Sequence, residues 1–262
     1  MESPDIQLKV SLLQFDIAWE NPERNRRHLQ KLLAGIPTDT DLVLLPEMFT
    51  TGFTMNASEL AETMQGETVL WMKKMAATHR FVLAGTIIIS DEGRFYNRLL
   101  FVRPGGETDF YDKRHLFSVG QEHSHFSHGV ARKVFKLKGF RILPQICYDL
   151  RFPVFARNRG DYDIYLNCAN WPASRSEVWQ CLLQARAIEN QAYVVGINRV
   201  GLDGAGIGYS GGSVVFDARG NALAGGADAE TIVSVNLSLN ELNSFRARFP
   251  VAADADDFTL NR

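Results

Sequence analysis

Short apolar runs alternate with amphipathic stretches from one end of this chain to the other, and that alternation limits the available folds more than any other feature. Leu8 to Phe15 (LKVSLLQF) has the apolar, partly alternating pattern of a strand. Asn21-Pro22 opens an amphipathic helix over Glu23 to Leu33, with Leu29, Leu32 and Leu33 on one face and basic residues opposite. Asp41 to Pro46 is a short continuous apolar run, as a strand buried on both faces requires. A helical period over Gly66 to His79 precedes a β-branched strand, Phe81 to Ser90, and Asp91-Glu92-Gly93 turns the chain back into Tyr96 to Val102. Further strands are predicted at Arg141 to Cys147, Ile164 to Cys168, Tyr193 to Asn198, Ser213 to Phe216 and Ile232 to Val235. Helices are predicted at Glu177 to Asn190 and Leu239 to Arg248. This order implies an α/β fold around a mixed sheet covered on both faces.

No repeat, low-complexity tract or linker divides the pattern, so residues 1–262 read as one domain, with a core from about 6 to 250 and an Asp-containing tail after it. With 262 residues, 45% of them hydrophobic, such a domain buries roughly three quarters of the surface of its unfolded chain. The formal charge is −2, which supplies no field for nucleic acid or an anionic membrane. Three widely spaced cysteines, Cys147, Cys168 and Cys181, do not make a disulfide framework and suit a reducing compartment. The start, Met1-Glu2-Ser3-Pro4-Asp5, carries acid where a signal peptide needs base, and no run reaches the ~18 apolar residues of a membrane span. A cytoplasmic location is the expectation.

Chemistry concentrates where predicted strands end. In ILPQICYDLRFP an apolar strand runs into Cys147, followed at once by a polar, helix-compatible stretch. A nucleophile on such a sharp corner is exposed, the N–H of the next residue, Tyr148, is free to meet an oxyanion, and a helix N-terminus favours a thiolate. Taken alone, Cys147 fits a small buried hydrophobe equally well. A catalytic thiol also needs a base and a nearby positive charge. LVLLPE sets Glu47 after a buried strand, where a sheltered carboxylate makes a workable base, and FYDKRHLF sets Lys113 after another, where an ammonium can steady an oxyanion.

LLPEMFTTGF, YDKRHLF and ICYDLRFP, in that order and at those separations, resemble the three motifs of the nitrilase superfamily of carbon–nitrogen hydrolases, and residues 169 to 201 extend the resemblance. It implies a four-layer α-β-β-α sandwich, a homodimer, a Glu47-Lys113-Cys147 triad, and neither metal nor cofactor. It further implies a second active-site carboxylate in the loop after the lysine, matched by Glu122, seven residues before Gly129. Arg151 and the pair Arg186 and Glu189 also match; we read these three as structural partners of the elbow and the long helix.

CYDLRFPVFARN and NWPASRSEVWQ are most similar to the ω-amidase branch, which implies hydrolysis of the terminal amide of 2-oxoglutaramate or 2-oxosuccinamate. The same triad would also serve a nitrilase, an N-carbamoyl hydrolase, an N-acyltransferase or another aliphatic amidase. Trp171 and Phe53 are the expected apolar wall for a short substrate, and Arg175 the expected cation for its carboxylate. His123, His125 and His128, near His115, imitate a metal cluster but sit in a polar loop without a rigid frame. Gly204-Ala205-Gly206-Ile207-Gly208 imitates a dinucleotide fingerprint without the strand-to-helix context, and reads as a glycine-rich loop. Cys168 and Cys181 are expected to be buried, inert thiols.

Overall fold

A computed structural model describes residues 5–260; the acidic Met1–Pro4 start and Asn261–Arg262 lie outside the described residues. In chain order the first half forms β1 (Gln7–Gln14), α1 (Pro22–Leu33), β2 (Leu42–Leu44), α2 (Ala57–Leu60), α3 (Glu67–His79), β3 (Val82–Asp91), β4 (Arg94–Val102), β5 (Thr108–Asp112) and α4 (Glu122–His125). The second half forms β6 (Phe135–Leu137), β7 (Phe140–Ile146), α5 (Pro153–Ala156), β8 (Ile164–Cys168), α6 (Ser176–Asn190) and β9 (Tyr193–Ile197). It continues with β10 (Val200–Leu202), β11 (Gly208–Ser210), β12 (Val214–Phe216), β13 (Ala222–Gly225), β14 (Thr231–Ser238) and α7 (Leu239–Arg248).

Two six-stranded sheets result, in the orders β14-β1-β2-β3-β4-β5 and β13-β12-β9-β8-β7-β6. Each has a parallel trio at its centre, β1-β2-β3 in one and β7-β8-β9 in the other, flanked by antiparallel strands. Strand alternation assigns the faces. Val10, Leu12, Leu42, Leu44 and Ala84 of the first sheet pack against Ile142, Ile146, Leu166 and Val195 of the second, forming the core between the sheets. The opposite face of the first sheet, with Val43, Leu45 and Leu83, is covered by Leu29 and Leu33 of α1 and Val69 and Met72 of α3. Leu143, Tyr165 and Val194 on the outer face of the second sheet are covered by Trp179, Leu183 and Ala187 of α6. Helix, sheet, sheet, helix: the chain is the four-layer α-β-β-α sandwich that its motifs imply.

Local chemistry explains the helix ends. The Asn21 side chain accepts the Arg24 N–H at 3.1 Å, and Pro22 occupies the first turn of α1, where its missing N–H costs nothing. The buried Asn25 of the same helix donates to Thr50 O at 2.6 Å, tying the loop after β2 to the outer layer. Ser238 ends β14 and caps α7 by accepting from Glu241 N at 3.0 Å. The tail is tied down: Arg159 donates to Phe258 O at 2.9 Å and stacks over its ring.

The long elements lie where the sequence pattern puts them. The three- and four-residue elements β6, β10, β11, β13, α2, α4 and α5 go unread, being too short to show a period and, around β10 and β11, interrupted by glycine. The glycine-rich loop at 204 to 208 is the tip of the β10–β11 hairpin, folded around Asp203, whose carboxylate accepts from Ala205 N and Ile207 N, each at 2.9 Å.

Candidate active site

The parallel trios bring the carboxyl ends of their strands to one place, the usual position for a site in an open α/β sheet. Glu47 follows β2 and Lys113 follows β5 on the first sheet; Cys147 follows β7 and Asn170 follows β8 on the second. Four residues separated by as many as 123 positions thereby meet: Lys113 Nζ lies 2.8 Å from Glu47 Oε1, and Asn170 N donates to Glu47 Oε2 at 2.9 Å. Asn170 Nδ2 also reaches the Glu47 carbonyl at 2.6 Å, stitching one sheet to the other.

Glu122, at the start of α4, is brought into the same cluster. Its Oε1 and Oε2 lie 3.0 and 2.9 Å from Lys113 Nζ, and Oε2 accepts the Phe117 N–H at 2.6 Å. The segment bearing it lies flat on the strand end, because Gly129 N donates to Lys113 O at 2.8 Å and a Cβ at Gly129 would stand 2.2 Å from Asp112 O. Glu47 and Glu122 are both fully buried. Burial works against the Lys113 charge, but Glu122 and Glu47 outweigh it and hold the ammonium above its ordinary value. Burial raises the Glu122 carboxyl, with Lys113 opposing and Glu47 adding to the rise.

Cys147 leaves β7 with φ +43°, a left-handed conformation that L-residues seldom adopt. The tight corner is held by Asp149, which accepts Ile146 N at 3.0 Å, Tyr111 OH at 2.9 Å and His115 N at 2.8 Å. The chain then makes one 3-10 turn over Cys147–Arg151 and enters the four-residue α5, so the expected helix N-terminus is a single tight turn. Burial, reinforced by Glu47, pushes the thiol well above its ordinary value, with Lys113 opposing. Its Sγ lies 3.8 Å from Asn170 O. Tyr148 is the second residue of the turn, where a backbone N–H has no partner within the turn.

A cavity of about 490 Å³ opens onto this corner. Its wall includes Lys113, Cys147 and Tyr148 together with Phe53, Trp171 and Arg175. Phe53 lies with its ring centroid 5.1 Å from Lys113 Nζ. Trp171 serves both wall and core, packing against Trp179 with the two rings tilted by 40° and donating through Nε1 to Arg175 O at 2.8 Å. Arg175 is exposed at the mouth.

Two expectations are corrected. Arg151 does not hold the elbow: its side chain is exposed and lies over Trp171 at 5.2 Å, in the cavity wall, and Asp149 does the holding. Cys181 is exposed on α6, whereas Cys168 is buried as expected. Arg186 does act on the turn, donating to Leu150 O at 2.9 Å while paired with Glu189. His123, His125 and His128 are exposed, and His115 Nδ1 lies 2.7 Å from Asp149. The described residues hold no group of three His, Cys, Asp or Glu arranged to bind a metal.

Sequence reading passes over Asn97, Asn170 and the β10–β11 hairpin, which supplies Asp203, Ile207 and Tyr209 to the wall. An asparagine inside the strand RFYNRLLFV, where that residue type is disfavoured, is the signal that would have marked Asn97.

Comparison with known proteins agrees with the geometry. The carbon–nitrogen hydrolase family model matches residues 9–247. Omega-amidase YafV of Escherichia coli K12 is 48% identical, over 97% of this chain and 98% of that protein. The 2-oxoglutaramate amidase of Bacillus subtilis is 33% identical, over 94% of this chain and 96% of that protein. The crystal structure of XC1258, a CN-hydrolase superfamily protein from Xanthomonas campestris, superimposes with a TM-score of 0.95 at 42% identity, covering 97% of this chain and 99% of that one. A match over nearly the whole chain, joined to the sandwich fold, makes this protein a member of the carbon–nitrogen hydrolase family, within the nitrilase superfamily that its three motifs resemble.

Proposed function

We propose that the chain is a thiol amidase that hydrolyses the terminal amide of small 2-oxo dicarboxylic acid monoamides, 2-oxoglutaramate and 2-oxosuccinamate, to the acid and ammonia. The observation that carries the reading is the buried cluster of Glu47, Lys113 and Glu122 beside a cysteine on a left-handed corner. Substrate class is supported by the similarity to an omega-amidase and a 2-oxoglutaramate amidase. Two guanidinium groups, Arg151 and Arg175, in a wall otherwise rich in aromatic side chains also suit a short chain ending in a carboxylate.

In this reading the thiol waits protonated. Glu47 takes its proton as sulfur attacks the amide carbonyl, and the oxyanion is met by Lys113 and the Tyr148 N–H. Glu47 returns the proton to the departing nitrogen, ammonia leaves, and an acyl thioester stays on Cys147. Glu47 then draws a proton from water, hydroxide adds to the thioester, and collapse frees the acid as Glu47 returns that proton to the departing sulfur, restoring the thiol and the base. Lys113, held charged by two carboxylates, is a standing positive centre that needs no reorganisation as the oxyanion forms. We take the working form to be a cytoplasmic homodimer of the 29.4 kDa chain, with light scattering to test the subunit number.

Ammonia release from a panel of ω-amides, nitriles and N-carbamoyl amines tests the assignment. Turnover of 2-oxoglutaramate and 2-oxosuccinamate ahead of the other classes is expected. Turnover of a nitrile or carbamoyl compound with none of 2-oxoglutaramate would overturn it.

A further inference from the structure

Asn97, in the middle of β4, is fully buried and absent from the cavity wall, yet it touches every member of the charged cluster. Its Nδ2 donates to Glu47 Oε1 at 2.8 Å and to Glu122 Oε1 at 3.2 Å, and its main-chain carbonyl accepts the main-chain N–H of Lys113 at 3.0 Å. The orientation of its amide is set from behind. Met48 N donates to Thr86 Oγ1 at 2.7 Å, and the Thr86 hydroxyl donates onward to Asn97 Oδ1 at 2.8 Å. With the oxygen engaged there, both Nδ2 hydrogens face the two carboxylates.

Counting acceptor positions distinguishes the oxygens of the two acids. Glu47 Oε1 receives Lys113 and Asn97, which occupies both of its lone-pair directions. Glu122 Oε1 receives the same two donors, and its Oε2 receives Lys113 and Phe117 N. Glu47 Oε2 receives only Asn170 N among the described residues, so it alone in the cluster keeps a free position.

We propose that Asn97 is a positioning residue for the amidase reaction: oriented by Thr86, it saturates Glu47 Oε1 and Glu122 Oε1, leaving Glu47 Oε2 as the one oxygen able to take the proton from Cys147. The inference rests on the roles proposed above for Glu47 and Cys147. It also assigns the two carboxylates different work, Glu47 as the base and Glu122 as a fully engaged holder of Lys113.

A donor to a carboxylate favours its ionised form, so the pH profile of the reaction reads the loss of such a donor from the cluster. The titratable groups that act on Glu47 are Lys113 after β5, Glu122 on α4, Cys147 after β7 and Cys168 on β8, and all four stay in place in the test. Asn97→Leu keeps the shape of the side chain and deletes its donors. Expected is a fall in kcat of about ten- to a hundredfold, the range for losing a hydrogen bond to a charged group, with KM within about twofold of wild type. The acid limb of the kcat/KM profile should move to higher pH, a shift that general loosening of the fold would not produce. Thr86→Val is read alongside, so that failure of Asn97→Leu to fold leaves the proposal exposed. It should move the limb in the same direction by less, and Thr86→Ser, which keeps the hydroxyl, should restore it. An unmoved acid limb in folded Asn97→Leu, or in Thr86→Val, overturns the role of Asn97. Turnover that survives in Cys147→Ala overturns instead the catalytic reading beneath it.

Discussion

At the scale of single residues, the site separates a charge that is permanent from one that appears during reaction. Lys113 is kept positive by two acids, while burial and Glu47 both act against a charge on Cys147; in the proposed mechanism thiolate forms only as Glu47 accepts its proton. Replacing that acceptor should therefore stop both halves of the cycle. Glu47→Gln is expected to lower ammonia release by about 10²- to 10⁴-fold, the range for losing a general base, while circular dichroism stays native. Near-normal rates would place the base elsewhere. Glu47, Lys113 and Cys147 were legible because each stands where an apolar run stops, and Glu122 because the resemblance supplied its spacing from Gly129. Asn97 and Asn170 were not, since each matters through a cross-sheet or cross-strand neighbour. Arg151 was misread because a cation beside a nucleophile fits a brace as well as a wall.

Elements, rather than residues, set the precision with which these groups meet. The segment from Lys113 to Gly129 must fold back on its own strand end to return Glu122 to Lys113, and only hydrogen fits where Gly129 passes Asp112 O. Gly129→Ala is expected to destabilise the protein by about 1–3 kcal/mol, as overpacking does, and to lower kcat by displacing the Glu122 segment. Thermal melting and ammonia release check the two effects together; an unchanged melt would mean that the loop has room to spare. A comparable closeness brings α6 onto the second sheet, where a Cβ at Gly196 would stand 2.4 Å from Leu183 Cδ1. Long elements were readable because a period needs length to show itself. The hairpin tip at 203 to 208 escaped because its glycines advertise a turn without revealing that the turn leans over the cavity.

Across the whole molecule, charge pairs fasten the end of the fold to its second sheet. Asp163, just before β8, receives Arg141 of β7 at 2.7 Å and Arg246 of α7 at 2.8 Å. Burial opposes its charge, but the hydrogen bonds from Arg141 and Arg246 outweigh burial and hold its carboxyl below the usual aspartate range. A depressed folded value means stabilisation that is complete above the unfolded value, near 3.9, and lost as pH falls through the folded one. Asp163→Asn should therefore melt below wild type at pH 7, by the equivalent of about 1.5–3 kcal/mol, and the gap should close as pH falls below about 4. A gap independent of pH would assign the effect to packing. The sandwich itself was legible from alternation, whereas the pairing of its two sheets was not, because inward positions on both read alike. That pairing divides the proposed chemistry: base, ammonium and their holder ride on one sheet, the sulfur and its backbone donor on the other. Turnover is thus a gauge of sheet alignment, and heat, pressure or a distant core substitution that slides the two halves by a fraction of an ångström will register as silence at the sulfur before any strand comes apart.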